Sequence, residues 1–107
     1  MAAGRTGSRW RRAHALCMAR GEADQMPCWR CGGRIDYEFS RLFPQHREAG
    51  TVHHVTALLM GGDPCDQDNL VPCHRGCNAV MGNQLRGLLR RAHRRQVPPF
   101  IPGSRQW

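Results

Sequence analysis

Two short cysteine clusters, Cys28-Trp29-Arg30-Cys31-Gly32-Gly33 and Cys73-His74-Arg75-Gly76-Cys77, constrain this chain more than any other feature of it. A two-residue spacer lets neighbouring side chains converge on one ion, and glycines after the first pair let the backbone wrap around it. Zinc takes four nitrogen or sulfur ligands in a tetrahedron, so Cys28 and Cys31 need two partners from the second cluster. The x-x spacing of His74 and Cys77 favours the set Cys28, Cys31, His74 and Cys77, with Cys73 in place of His74 as the alternative. Such an ion has no open position and is structural. It ties residue 28 to residue 77, contributing on the order of 10 kcal/mol of folding free energy.

A cross-link of this kind is needed because 107 residues make one small domain whose apolar runs, at residues 15–18, 55–60 and 85–89, are short. Cys17 and Cys65 have no evident metal partner and read as packing thiols. The chain shows no secretory signal and no apolar run near the length of a membrane span. That places it in a reducing cytoplasm, where paired cysteines favour zinc over disulfides. The formal net charge is +8, and all sixteen basic side chains are arginines. Each guanidinium can fork onto a phosphate, so a polyanion, nucleic acid above all, is the expected partner, and no membrane.

Residues 1–7 read as a flexible basic arm, 8–96 as the folded domain and 97–107 as a C-terminal tail. Ser8 stands where an N-cap belongs, ahead of Trp10, Ala13 and Cys17 at helical spacing, with Gly21 as the stop and Trp10 plugging the core. A short strand is expected at 34–36, and a loop over 37–50, which has no clean period. The β-branched stretch 51–55 reads as a strand, and the turn at Gly61-Gly62-Asp63-Pro64 leads to a brief return strand at Leu70-Val71 that Pro72 ends. From Gly76 to about Arg95 the apolar spacing predicts a helix with an arginine-rich outer face, interrupted in pattern by Gly82 and Gly87. His14, His46 and His93 read as surface or packing residues, and Asn83 as a helix surface residue.

Within residues 52–82 lie two adjacent histidines, His53 and His54, and two asparagines nine positions apart, Asn69 and Asn78. Together with Cys28-x-x-Cys31-Gly32, Gly61-Gly62-Asp63-Pro64, Asp68-Asn69-Leu70 and His74-x-x-Cys77-Asn78, they resemble the HNH endonuclease family, most closely its small bacteriophage-encoded members. The resemblance runs from Trp10 to about Gly82. It implies an α+β fold: a zinc-stabilised ββα-metal (His-Me finger) domain, flanked here by an N-terminal helix and a long C-terminal helix. By position, His54 is the general base and Asn69 the residue that braces the loop and orients it. His53, where the family often has aspartate, and Asn78 are ligands of a catalytic divalent ion. The implied activity is metal-dependent hydrolysis of DNA phosphodiester bonds to 3′-hydroxyl and 5′-phosphate ends, probing little sequence and nicking rather than cutting cleanly. By analogy with phage relatives, the implied setting is the host cytoplasm, beside terminase and portal proteins during genome packaging.

The chemistry needs these residue types. Cleaving a phosphodiester takes an activated water, which a neutral imidazole can deprotonate near pH 7, and a cation to neutralise charge on the phosphate. Successive strand residues point to opposite faces, so His53 and His54 can share one site only where the strand ends or twists. With histidine at 53 the ion's site carries less negative charge, which favours Mn²⁺, Ni²⁺ or Zn²⁺ relative to Mg²⁺. Met81 stands where relatives commonly have a basic side chain. Phosphate contacts are expected from Arg9, Arg11, Arg12, Arg75, Arg86 and Arg90. The rival reading is a non-catalytic, zinc-stabilised DNA- or RNA-binding module; it accounts for the charge and the cysteines but gives no task to His53, His54, Asn69 and Asn78.

Overall fold

A computed structural model describes residues 7–96; the expected arm (apart from Gly7) and tail lie outside the described residues. Helix α1 (Gly7–Ala23) is followed by the cysteine turn, a short helix α2 (Tyr37–Leu42), strand β1 (Gly50–His54), single 3-10 turns at Leu58–Met60 and Gln67–Asn69, strand β2 (Leu70–His74) and helix α3 (Arg75–Gln96). The two strands pair antiparallel, with Gly50 opposite His74 and His54 opposite Leu70. This is a small α+β domain in which a two-stranded antiparallel hairpin packs against helices.

Two small clusters form the core. Ala13 and Cys17 of α1 pack on Val52 and Leu70 of the hairpin, with Trp10, Met18 and Cys65 at the margin. On the other side Cys28, Ile35, Tyr37 and Cys73 pack together, joined by Met18, Cys77 and Met81. Three residues of this second cluster, Cys28, Cys73 and Cys77, are cysteines, so apolar burial and the thiol group share one interior.

The structure departs from the sequence expectations at four places. Gly21 does not stop α1: it lies buried inside the helix, where a Cβ would come to 2.7 Å from the Tyr37 hydroxyl and 2.8 Å from Pro72. Its glycine identity serves close packing, and the helix runs one turn fraction further to Ala23. Residues 34–36 form no strand, and the expected loop over 37–50 contains α2. Asp36 caps that helix by accepting from the Phe39 N–H at 2.9 Å, and the Ser40 hydroxyl bonds the Asp36 carbonyl at 2.7 Å while accepting from the Gly50 N–H at 2.7 Å. Six residues are too few to show a helical period, which is why pattern alone misses it.

Pro72 does not end β2 but sits within it. A proline is tolerated in a strand where its nitrogen faces away from the partner. Its carbonyl points outward to accept the Trp29 N–H at 3.0 Å, so this residue's missing donor costs the ladder nothing. The helix expected from Gly76 to about Arg95 is present as α3, which runs unbroken through Gly82 and Gly87. No described helix is long and apolar enough to cross a membrane.

Candidate metal centre and histidine cleft

The cysteine turn and the hairpin end bring Cys28, Cys31, His74 and Cys77 together, their four ligand atoms all within 4.8 Å of one another. The His74 Nδ1 lies 3.3 Å from the Cys31 sulfur and 4.0 Å from that of Cys77. Those separations bracket the roughly 3.5 Å between ligands on a tetrahedral zinc, given its usual bond lengths. The group can therefore hold a metal ion, and three thiols with one imidazole are a donor set that zinc takes.

The surroundings fit that role. The His74 Nε2 is 2.9 Å from the Arg34 carbonyl, which can only accept, so Nε2 carries the proton and the Nδ1 lone pair faces the sulfurs. Backbone N–H groups of Gly33 and His74 donate to Cys31 and Cys28, both at 3.3 Å. Burial pushes the Cys28 thiol up, but the N–H groups of Cys31, His74 and Arg30, together with the Cys73 thiol, outweigh it and bring it down to about 6. A cysteine at that value is largely thiolate at neutral pH, the form a metal binds.

Cys73 takes another part. It is fully buried, with its sulfur 3.6 Å from that of Cys28, outside the four-ligand group. Desolvation first, and then the neighbouring Cys28, push it up to about 12, so it keeps its proton and can donate to the Cys28 thiolate. The alternative in which Cys73 replaces His74 is thereby corrected: the strand alternation that turns Cys73 inward turns His74 toward the cluster.

A second site lies at the other end of β1. A cleft of about 270 Å³ is lined by His53, His54, Leu58, Asn78, Met81 and Arg86, among others. The His53 Nδ1 and the Asn78 Oδ1 are 2.9 Å apart, across from β1 to the first turn of α3. That separation is a hydrogen bond, with the Asn78 oxygen accepting from the imidazole. His54 is the last residue of β1, and both it and His53 are among the residues that line the cleft.

His54 is buried and held on two sides. Its Nε2 is 3.0 Å from the Pro64 carbonyl, which can only accept, so Nε2 carries a proton. The Trp10 indole stacks on it, ring centroids 5.3 Å apart and planes 24° from parallel. Trp10, expected merely to plug the core, thus reaches the histidine from α1, and His14 packs edge-on against it at 5.5 Å.

Asn69 shapes the loop that supplies Pro64. Its Oδ1 accepts the Thr56 N–H at 2.6 Å, and its Nδ2 donates to the carbonyls of Thr56 and Asp63, both at 3.0 Å. Gly62 allows this closure, since a Cβ there would lie 1.9 Å from the Thr56 oxygen. The loop is moored to α1 by Gln67, which donates to the Ala13 carbonyl at 3.0 Å and accepts from Arg20 at 2.7 Å.

Of the arginines expected at phosphate, Arg86 lines the cleft. Arg9, Arg11 and Arg12 on α1, and Arg75 and Arg90 on α3, are solvent-exposed. Sequence reasoning gave no role to Trp29 beyond its place in the turn, yet it stacks on His53 with centroids 5.1 Å apart. No pattern could have shown that contact, because turn and strand meet only in the fold.

Fold and site together define a small α+β domain with a Cys₃His metal-binding cluster and a separate two-histidine cleft. No protein-family model, curated protein or solved structure matches the chain.

Proposed function

We propose that this chain is a metal-dependent DNA endonuclease of the HNH kind, nicking phosphodiester bonds with little sequence preference. The observation that carries the reading is the meeting of the His53 Nδ1 and the Asn78 Oδ1 at 2.9 Å in the cleft that His54 also lines. A divalent ion held by His53 and Asn78 would supply charge neutralisation at the phosphate and at the departing 3′ oxygen. His54, with Nε2 tied to Pro64, takes a proton from the attacking water through Nδ1. Trp10 keeps that imidazole from turning, and Asn69, by bonding the carbonyl of Asp63, braces the loop whose next residue, Pro64, orients it. Arg86 in the cleft adds a fixed cation where Met81 has none, and the exposed arginines of α1 and α3 grip flanking phosphates. The Cys₃His cluster is zinc-bound and structural in this reading, leaving the cleft to Mg²⁺, Mn²⁺, Ni²⁺ or a second Zn²⁺.

Supercoiled plasmid incubated with each divalent ion, for the parent chain and His54→Ala, tests the reading. Metal-dependent nicking by the parent, lost in the variant while zinc content and DNA binding persist, is the expected result. A parent that binds DNA but never cuts it under any ion would instead make the chain a zinc-stabilised binding module. Equal cutting by both proteins would remove His54 from the chemistry.

A further inference from the structure

Trp29 is unexplained by either site. It lies between two metal-ligating cysteines, where the spacer needs only a tight turn, and neither sulfur geometry nor core packing calls for an indole. It is 51% exposed, although an indole is among the most rewarding side chains to bury. Nor is it loose: its backbone N–H is bonded to the Pro72 carbonyl, and its ring lies against His53 with planes 27° from parallel. The next residue, Arg30, sets its guanidinium 3.8 Å from the Cys77 sulfur, so a cation is fixed on the same turn. A half-open aromatic ring therefore stands directly against the histidine proposed to meet the phosphate.

We infer that Trp29 is a stacking platform for one unpaired nucleobase of a single-stranded or locally opened DNA, adjoining the phosphate at His53 and Asn78. The inference rests on the nucleic-acid substrate of the proposed function and narrows it. Bases inside a duplex have both faces covered by their neighbours and present only edges in the grooves, so an exposed indole can engage a base only where stacking is already broken. Charge complementarity favours the same occupant: the chain carries +8, and an exposed arginine follows Trp29 on the same turn. Trp29 thereby selects for strand ends, flaps or opened segments, which the exposed arginines of the helices cannot distinguish from duplex.

The test is binding of the full zinc-loaded chain, with no other divalent ion, to a labelled single-stranded dodecamer and to a hairpin duplex of the same sequence, followed by fluorescence anisotropy. Trp29→Leu, which keeps apolar bulk without a π-face, is expected to weaken single-strand binding about tenfold and duplex binding less than about twofold, while Trp29→Phe recovers most of the loss. Zinc content and the melting transition are read for each variant, and Trp29→Phe serves as the comparison should Trp29→Leu fold poorly. Equal losses on both DNAs, or none on either, would overturn the platform. So would unchanged binding with impaired nicking, which would reduce Trp29 to a buttress for His53. A chain that never cuts DNA yet shows the Trp29-dependent preference would sink the endonuclease and leave the platform standing; His54-dependent nicking with a Trp29→Leu variant that binds like the parent would do the reverse.

Discussion

The imidazole of His53 and the carboxamide of Asn78 meet at 2.9 Å, one from a strand and the other from the first turn of the following helix. Nothing local enforces that pairing. It follows from the hairpin register, which places β2 beside β1, and from α3 starting at once after His74. In the proposed function, replacing either residue would remove one of the two protein ligands of the divalent ion. His53→Ala and Asn78→Ala are each expected to raise the Mn²⁺ concentration needed for half-maximal nicking by about tenfold or more, with structural zinc retained. A titration of rate against Mn²⁺ checks this; an unchanged midpoint in both variants would take the ion away from this pair.

The cysteines should divide sharply. Cys31→Ser removes a ligand from the four-atom group, and the domain is expected to lose zinc and its cooperative melt, because so small a core cannot stand without the ion. Cys73→Ala deletes a buried thiol that is no ligand. It should keep stoichiometric zinc and lose only about 1–3 kcal/mol of stability. Metal content after dialysis, with circular-dichroism melts, separates the two; zinc loss in Cys73→Ala would put that sulfur back among the ligands.

Asn69 makes three hydrogen bonds that close the loop from Thr56 to Asp63. Asn69→Ala leaves those backbone groups without it and loosens the loop that carries the Pro64 carbonyl against His54. We expect a loss of about 1–3 kcal/mol in stability and a larger, separate fall in nicking rate, with DNA affinity unchanged. Denaturant melts alongside single-turnover cleavage would show it; full activity at reduced stability would make the asparagine purely architectural.

Gly21→Ala tests the packing of α1 on the hairpin. The added methyl would lie within 2.8 Å of Tyr37 and Pro72, so despite alanine's better helix propensity the change is expected to destabilise by about 1–3 kcal/mol, lowering the melting temperature by several degrees. A melt at or above the parent's would mean that α1 shifts away at no cost.

Much of the cluster chemistry was readable in the chain because metal ligands obey short spacings: Cys28-x-x-Cys31 and His74-x-x-Cys77 predict a convergence that the fold then displays. The long helix α3 was readable for the same reason, since a periodic pattern of that length leaves few alternatives. Helix α2 was not, being too short to show a period and dependent on a cap at Asp36 and on Ser40 reaching to Gly50. Gly21 and Pro72 were misread as terminators because each acts locally as a breaker in general, and here each is placed by a partner distant in sequence.

By itself the sequence determined which side chains can do chemistry: three thiols and an imidazole for one ion, two adjacent histidines at a strand end, and arginines in place of any lysine. Only the tertiary structure decided that His74 rather than Cys73 turns to the cluster, that Trp10 lies on His54, and that Trp29 lies on His53. The physical reason is that ligand spacing and strand alternation are properties of neighbours along the chain. Ring stacking and sulfur selection instead depend on how α1, the cysteine turn and the hairpin pack against one another, and that is fixed by the shared core.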